Sequence, residues 1–170
     1  MTVAHLRTAR PADFGTVTGT PGLPAEFDRV FSSRYVDVGS VRLHTVTGGQ
    51  GPALLLIGGW PQFWYQWRHV MLPLAEHYTV VVADPRGTGL SDRPRTGYDS
   101  ATCAQDFHRL MNVLGHDRFP VVGHDIGMRT ACAMAADTPG RIRVSTLLTT
   151  VRRTVPAWSN EKSCSGSSAS

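Results

Sequence analysis

Between residues 33 and 150 the chain alternates short apolar runs with stretches whose apolar positions recur every three or four residues. The runs 53–57, 79–83 and 119–122 are rich in Leu, Ile and Val, and Gly or Asp follows each. Such runs predict strands buried on both faces. Trp64, Trp67, Met71 and Leu74 form one apolar stripe, and Ala104, Phe107, Met111 and Leu114 form another. These stripes predict two amphipathic helices, the second closed by Gly115. A third helix is expected from about 127 to 136, ended by Pro139-Gly140. Residues 34–38 and 41–46 each contain β-branched residues, lie on either side of Gly39-Ser40 and predict a hairpin. Buried strands alternating with amphipathic helices predict an α/β domain, with a mostly parallel sheet and an antiparallel hairpin at its start.

The two ends read differently. Residues 1–32, rich in Pro, Gly, Thr and Ala, show no sustained period and are expected to form a loose arm. One more strand is expected near 144–150. Residues 151–170 have neither helical nor strand period, and 6 of the 12 Ser together with the sole Lys, Lys162, fall at 159–170. A shifted reading frame or a truncation produces such a break in composition; a natural Ser-rich tail is the alternative.

Composition narrows the class. With 170 residues, 41% hydrophobic and 18% charged, the chain has the makeup of one soluble domain, not of a collagen, a coiled coil or a disordered chain. A net charge of +4 and a pI near 9.3 would permit nucleic-acid binding. The 16 Arg are scattered from Arg7 to Arg153, however, and form no one-sided footprint for phosphates, so no nucleic-acid partner is expected. No apolar run approaches the ~20 residues of a membrane span. The first 15 residues lack the apolar core of a signal peptide, so no membrane association and a cytoplasmic location are expected. Cys103, Cys132 and Cys164 make no Cys-x-x-Cys pair and read as free thiols.

The chemistry concentrates in Val121-Val122-Gly123-His124-Asp125-Ile126-Gly127-Met128. A strand ends at Gly123 and a helix begins just after Asp125. Gly two places before and two after the middle residue permits a turn so tight that the middle side chain stands above the sheet. A dinucleotide loop is excluded, because the spacing is G-x-x-x-G and a carboxylate would repel pyrophosphate. Two readings of Asp125 remain. It caps the helix, as Asp often does, or it is a nucleophile, ionised at neutral pH and in need of no base. Gly58-Gly59-Trp60-Pro61 follows the first buried strand and offers backbone N–H groups for an oxyanion hole. Asp84-Pro85-Arg86-Gly87-Thr88-Gly89-Leu90-Ser91-Asp92 follows the second and reads as a Gly-rich turn with an Asp–Arg pair. All three segments lie at the carboxyl ends of buried strands, where open α/β sheets place their sites.

With G-G-W-P at 58–61, W-Y-Q-W-R at 64–68, D-P-R-G-T-G-L-S-D at 84–92 and G-H-D-I-G at 123–127, the sequence resembles the α/β-hydrolase family from about 33 to 143. Within that family it resembles the epoxide hydrolase-like group. The resemblance implies that Asp125 attacks an epoxide carbon to form an alkyl-enzyme ester. It further implies that the N–H groups of Trp60 and Ile126 form the oxyanion hole, and that water activated by a His then cleaves the ester. No cofactor and no metal are implied; the partner is a small-molecule substrate, an epoxide or related electrophile. Gly58 stands where the family usually has His. Ile126 stands where haloalkane dehalogenases carry Trp and haloacetate dehalogenases carry Arg.

Family members are longer, with a helical cap after the sixth strand that supplies Tyr acids, then a later core that supplies the His and its acid partner. The resemblance ends near Val144. None of the His at 5, 44, 69, 77, 108, 116 and 124 is expected to be the base, and His124 is expected to point away from the site. The expected fold is therefore an α/β-hydrolase fold truncated after about the sixth strand: arm 1–32, half-core 33–150, irregular tail 151–170. Such a chain is expected to be inactive alone, with an edge strand at 144–150 and with 53–57 and 79–83 partly exposed on one face. A haloacetate dehalogenase-like hydrolase and a non-catalytic ligand- or partner-binding α/β module are the alternative functions.

Overall fold

The computed structural model describes residues 7–8, 15–140 and 142–148; the tail at 151–170 lies outside them. Seven strands form one sheet: β1 (Arg7–Thr8), β2 (Phe31–Asp37), β3 (Arg42–Gly48), β4 (Ala53–Ile57), β5 (Thr79–Ala83), β6 (Phe119–His124) and β7 (Ile142–Leu148). Their order is β1-β2-β3-β5-β4-β6-β7. β1, β2, β3 and β5 pair antiparallel in turn, and β5, β4, β6 and β7 run parallel. Four helices accompany them: α1 (Phe27–Val30), α2 (Arg68–Ala75), α3 (Ser100–Val113) and α4 (Ile126–Asp137). The α/β architecture, the parallel half and the antiparallel start agree with the expectation from periodicity. Among the described residues no helix is long and apolar enough to cross a membrane.

Successive side chains of a strand face opposite sides, and β4 shows the consequence. Leu55 and Ile57 join Val81, Phe107, Leu110 and Met111 in the core beneath α3 and α4. Leu54 and Leu56 join Val80, Val82, Trp64 and Met71 in a second core on the α2 side. All five residues of β4 and four of five in β5 are buried. The expected one-sided exposure of 53–57 and 79–83 is therefore not found. The covering comes from nearby chain: α3 and α4 close one face, while α2, Trp64 and Phe27 close the other. Burying a Leu or Val side chain stabilises by roughly 1.5–3 kcal/mol, so these two strands anchor the sheet. Among the described residues β7 pairs with β6 and stands last in the sheet order.

Residues 15–30, within the segment read as a loose arm, pack on the α2 side. Val17 and Phe27 are buried, and Phe27 stacks on Phe31 and Trp64 at centroid distances of 4.5 and 5.8 Å. Their apolar positions are too widely spaced to display a period.

The ends of α3 follow from its sequence. Asp99 caps it, accepting Thr102 N–H at 2.9 Å, and that bond holds its carboxyl below the ordinary range. Gly115, at φ 83°, ends it: Gly115 N–H donates to Asn112 O and His116 N–H to Met111 O, the paired closure a left-handed residue makes possible. Partial burial lowers the His116 pKa. Both groups thus have lowered folded-state values, so the stability they contribute is present at neutral pH and lost as pH falls. The thermal midpoint should fall from pH about 7 to about 5, with His116→Gln reducing the fall; an unchanged pH profile in that variant would contradict the assignment.

The loop after β5 is fixed by three long-range carboxylate contacts rather than by an Asp–Arg pair of its own. Asp84 bonds His44, Asp92 bonds Arg42, and Arg86 reaches α3 to bond Asp106. Arg86 Nε and Nη2 donate to the two Asp106 oxygens at 2.6 and 2.7 Å, with side chains only 4% and 2% exposed. The bond to Asp106 raises the Arg86 pKa against the opposing effect of burial. Removing one partner of a buried pair strands the other charge. Asp106→Ala should therefore cost about 3–5 kcal/mol in denaturant unfolding, whereas joint replacement by Met at 86 and Leu at 106 should recover most of it.

Candidate active site

The loops after β4, β5 and β6 meet at one end of the sheet. Asp125 separates β6 from α4 and has φ 54° and ψ −120°. That combination belongs to the first central position of a type II′ turn, where Gly is the usual occupant. An Asp held there costs of order 1–3 kcal/mol. Two neighbouring glycines make the turn possible. A Cβ on Gly123 would lie 2.6 Å from Gly127 O, and one on Gly127 would lie 2.5 Å from Ile57 O. No other residue allows the start of α4 to settle so closely on β4 and β6.

The two readings left open by the sequence differ in what the Asp125 carboxylate should touch. The Asp125 side chain makes no cap bond to α4, although it stands at the N-cap position. Its Oδ2 instead accepts the Trp60 N–H at 3.3 Å. The loop after β4 comes this close because position 59 is Gly: a Cβ there would lie 2.7 Å from Asp125 Cβ and 2.9 Å from Oδ2. Trp60, 69% exposed, and Ile126, 42% exposed, flank the carboxylate at the surface.

Three features were not legible in the motif. The same position on Gly59 lies 3.1 Å from His124 Nδ1, which is buried and without a hydrogen-bond partner. His124 thus packs toward the Asp125–Gly59 corner rather than away from it. At Gly58, the Gln66 amide packs where a side chain would begin, with its Nε2 buried and unpartnered. Below the elbow, Asp84 is fully buried and accepts His44 Nδ1–H at 2.9 Å, Trp64 N–H at 2.8 Å and Leu90 N–H at 3.1 Å. The only hint of these roles in the sequence is the pair of glycines at 58 and 59. Among the described residues no group of three or more His, Cys, Asp or Glu could hold a metal ion.

A family model described as the alpha/beta hydrolase fold matches residues 52–163. The chain belongs to the α/β-hydrolase fold family. It is 46% identical over 100 residues to a soluble epoxide hydrolase of Corynebacterium sp. strain C12, covering 59% of this chain and 35% of that protein. It is also 46% identical over 117 residues to a fluoroacetate dehalogenase of Burkholderia sp., covering 66% and 38%. Among solved structures, the epoxide hydrolase CorEH superposes with TM-score 0.65 at 41% identity, covering 66% of this chain and 40% of that one. Cfl2 of Burkholderia cenocepacia gives 0.70 at 32% identity, covering 92% and 50%. The chain thus spans between about a third and half the length of these proteins.

Strain at the elbow predicts a gain in stability when it is relieved. Asp125→Gly should raise the unfolding free energy by about 1 kcal/mol, because Gly adopts this backbone without penalty. Calorimetric or denaturant midpoints check this, and a clear loss of stability would show that Asp125 is not strained.

Proposed function

We propose that this chain carries the nucleophile of a hydrolase acting on small electrophiles, epoxides above all. The observation that carries the reading is that the Asp125 carboxylate leaves its own helix uncapped and faces the Trp60 N–H. Asp125 Oδ attacks an epoxide carbon, an Oδ–C bond forms, the ring C–O bond breaks, and the released alkoxide takes a proton from water. Water then adds to the ester carbonyl; the Trp60 and Ile126 N–H groups stabilise the oxyanion, which collapses to diol and free carboxylate. The likeness to the Corynebacterium epoxide hydrolase supports this reading. The likeness to a fluoroacetate dehalogenase supports a second one, in which the same carboxylate displaces a halide. A module that only binds a ligand has no use for a strained, uncapped Asp.

The second step needs a positioned base, worth typically 10²–10⁴-fold. Among the described residues, His44 is committed to Asp84 in the core, and His124 Nδ1 has no hydrogen-bond partner to orient it as a base. Ester formation should therefore outrun ester breakdown. Incubation with a small epoxide such as propylene oxide should leave one adduct, located on Asp125 by intact-mass and peptide spectrometry and absent from Asp125→Asn. A folded chain that acquires no adduct would overturn this reading, whereas diol made over many turnovers would overturn only the expectation that ester breakdown is slow.

A further inference from the structure

The 58–61 loop carries the Trp60 N–H to Asp125, and two successive glycines decide where it runs. Gly59 meets the elbow, whereas Gly58 meets the 3₁₀ turn Trp64–Trp67. Apart from its chain neighbours, the three atoms nearest to where a Gly58 Cβ would stand are Nε2 and Cδ of Gln66 and Nε1 of Trp67. We propose that Gln66 is a positioning residue: its amide fills the room left at 58 by the lack of a side chain, and so sets the distance from the Trp60 N–H to Asp125. The inference rests on the assignment of Asp125 as nucleophile and adds the residue that places its partner loop.

The turn is a fixed base for this contact. Trp64 N–H donates to Asp84 Oδ1 at 2.8 Å, Trp64 Nε1–H to Gly15 O at 2.7 Å and Gln66 N–H to Phe63 O at 3.1 Å, so it is held without help from the 58–61 loop. The loop is less firmly held. Gly59 O accepts Gln62 N–H at 2.9 Å within the loop's own bend, and the Trp60 N–H reaches Asp125 Oδ2 at 3.3 Å. A charge-assisted N–H···O bond is ordinarily ~2.7–2.9 Å. This one stands near its outer limit, so a shift of a few tenths of an ångström decides whether it forms. What packs against Gly58 is able to make such a shift. The Gln66 amide gains nothing there by hydrogen bonding, because Nε2 is buried with no partner, which costs the fold stability. Its contribution is volume against Gly58, so a side chain of the same length without the amide should serve as well.

In ¹H–¹⁵N spectra of the whole chain the Trp60 amide reports the contact, and Asp125→Asn should move its resonance. Two single variants disturb the packing: Gln66→Ala empties the space, and Gly58→Ala displaces only the flexible end of Gln66. In either background the response of Trp60 to Asp125→Asn should be largely lost, whereas in Gln66→Met it should persist. Gly58→Ala and Gln66→Ala together should do no more harm than Gln66→Ala alone, since independent sites would add. Adduct formation with propylene oxide gives a second readout. Each single Ala variant should lower its maximal rate about tenfold and leave the half-saturating concentration unchanged, with Gln66→Met keeping the parent rate. A Trp60 resonance indifferent to Asp125→Asn in the parent chain, a response retained in both Ala variants, or one lost in Gln66→Met would overturn the proposal. A Trp60 response of the expected pattern in a chain that forms no adduct on Asp125 would instead sink the nucleophile assignment, so the two failures are distinguishable.

Discussion

The site-bearing end of the sheet depends on one buried carboxylate. Asp84 is wholly inside the protein, and an ion there costs several kcal/mol unless its oxygens are fully engaged. They are engaged by three separate pieces of chain: the side chain of β3 through His44, the start of the 3₁₀ turn Trp64–Trp67, and the loop at Leu90. Ser91 adds a fourth tie, donating to Asp84 O while accepting His44 N–H. The return for burying the charge is positional: the loops after β4 and β5 are held to the same point. The approach of the 58–61 loop to Asp125 rests on that anchorage.

Most of the architecture was legible because it depends on local periodicity. The runs at 53–57 and 79–83 are the strands β4 and β5 to the residue. Gly115 ends α3 by a backbone preference that any sequence would signal. The hairpin strands β2 and β3 are each longer than the β-branched cores that betrayed them, since Phe31 and Gly48 pair at the far end by register alone. The arm failed to show its packing because Val17 and Phe27 sit ten residues apart, with no repeat to read.

At the candidate site, the tight turn at Asp125 and the approach of the 58–61 loop were legible because spacing and glycine placement encode them. The partners of charged side chains were not. Arg86 and Asp106 are twenty residues apart, and nothing local indicates that a helix will bring that carboxylate beneath the loop. An Asp–Arg pair within 84–92 was the plausible local choice, and the fold divided its members among β3 and α3 instead. The packing of His124 on Gly59 is likewise decided by how two loops meet.

The sheet order also has a consequence for how the chain assembles as it is made. β4 has no bond to the hairpin before it, because β5 lies between them. Until Thr79–Ala83 has left the ribosome, the antiparallel and parallel halves are separate pieces of chain. Once β5 inserts, it joins them and delivers Asp84 at its carboxyl end in the same stroke. Every later strand then finds an edge already built: β6 adds to β4, and β7 to β6. The costly turn at Asp125 follows six of the seven described strands in chain order, so β4 and β6, on which it closes, have already been synthesised when it emerges.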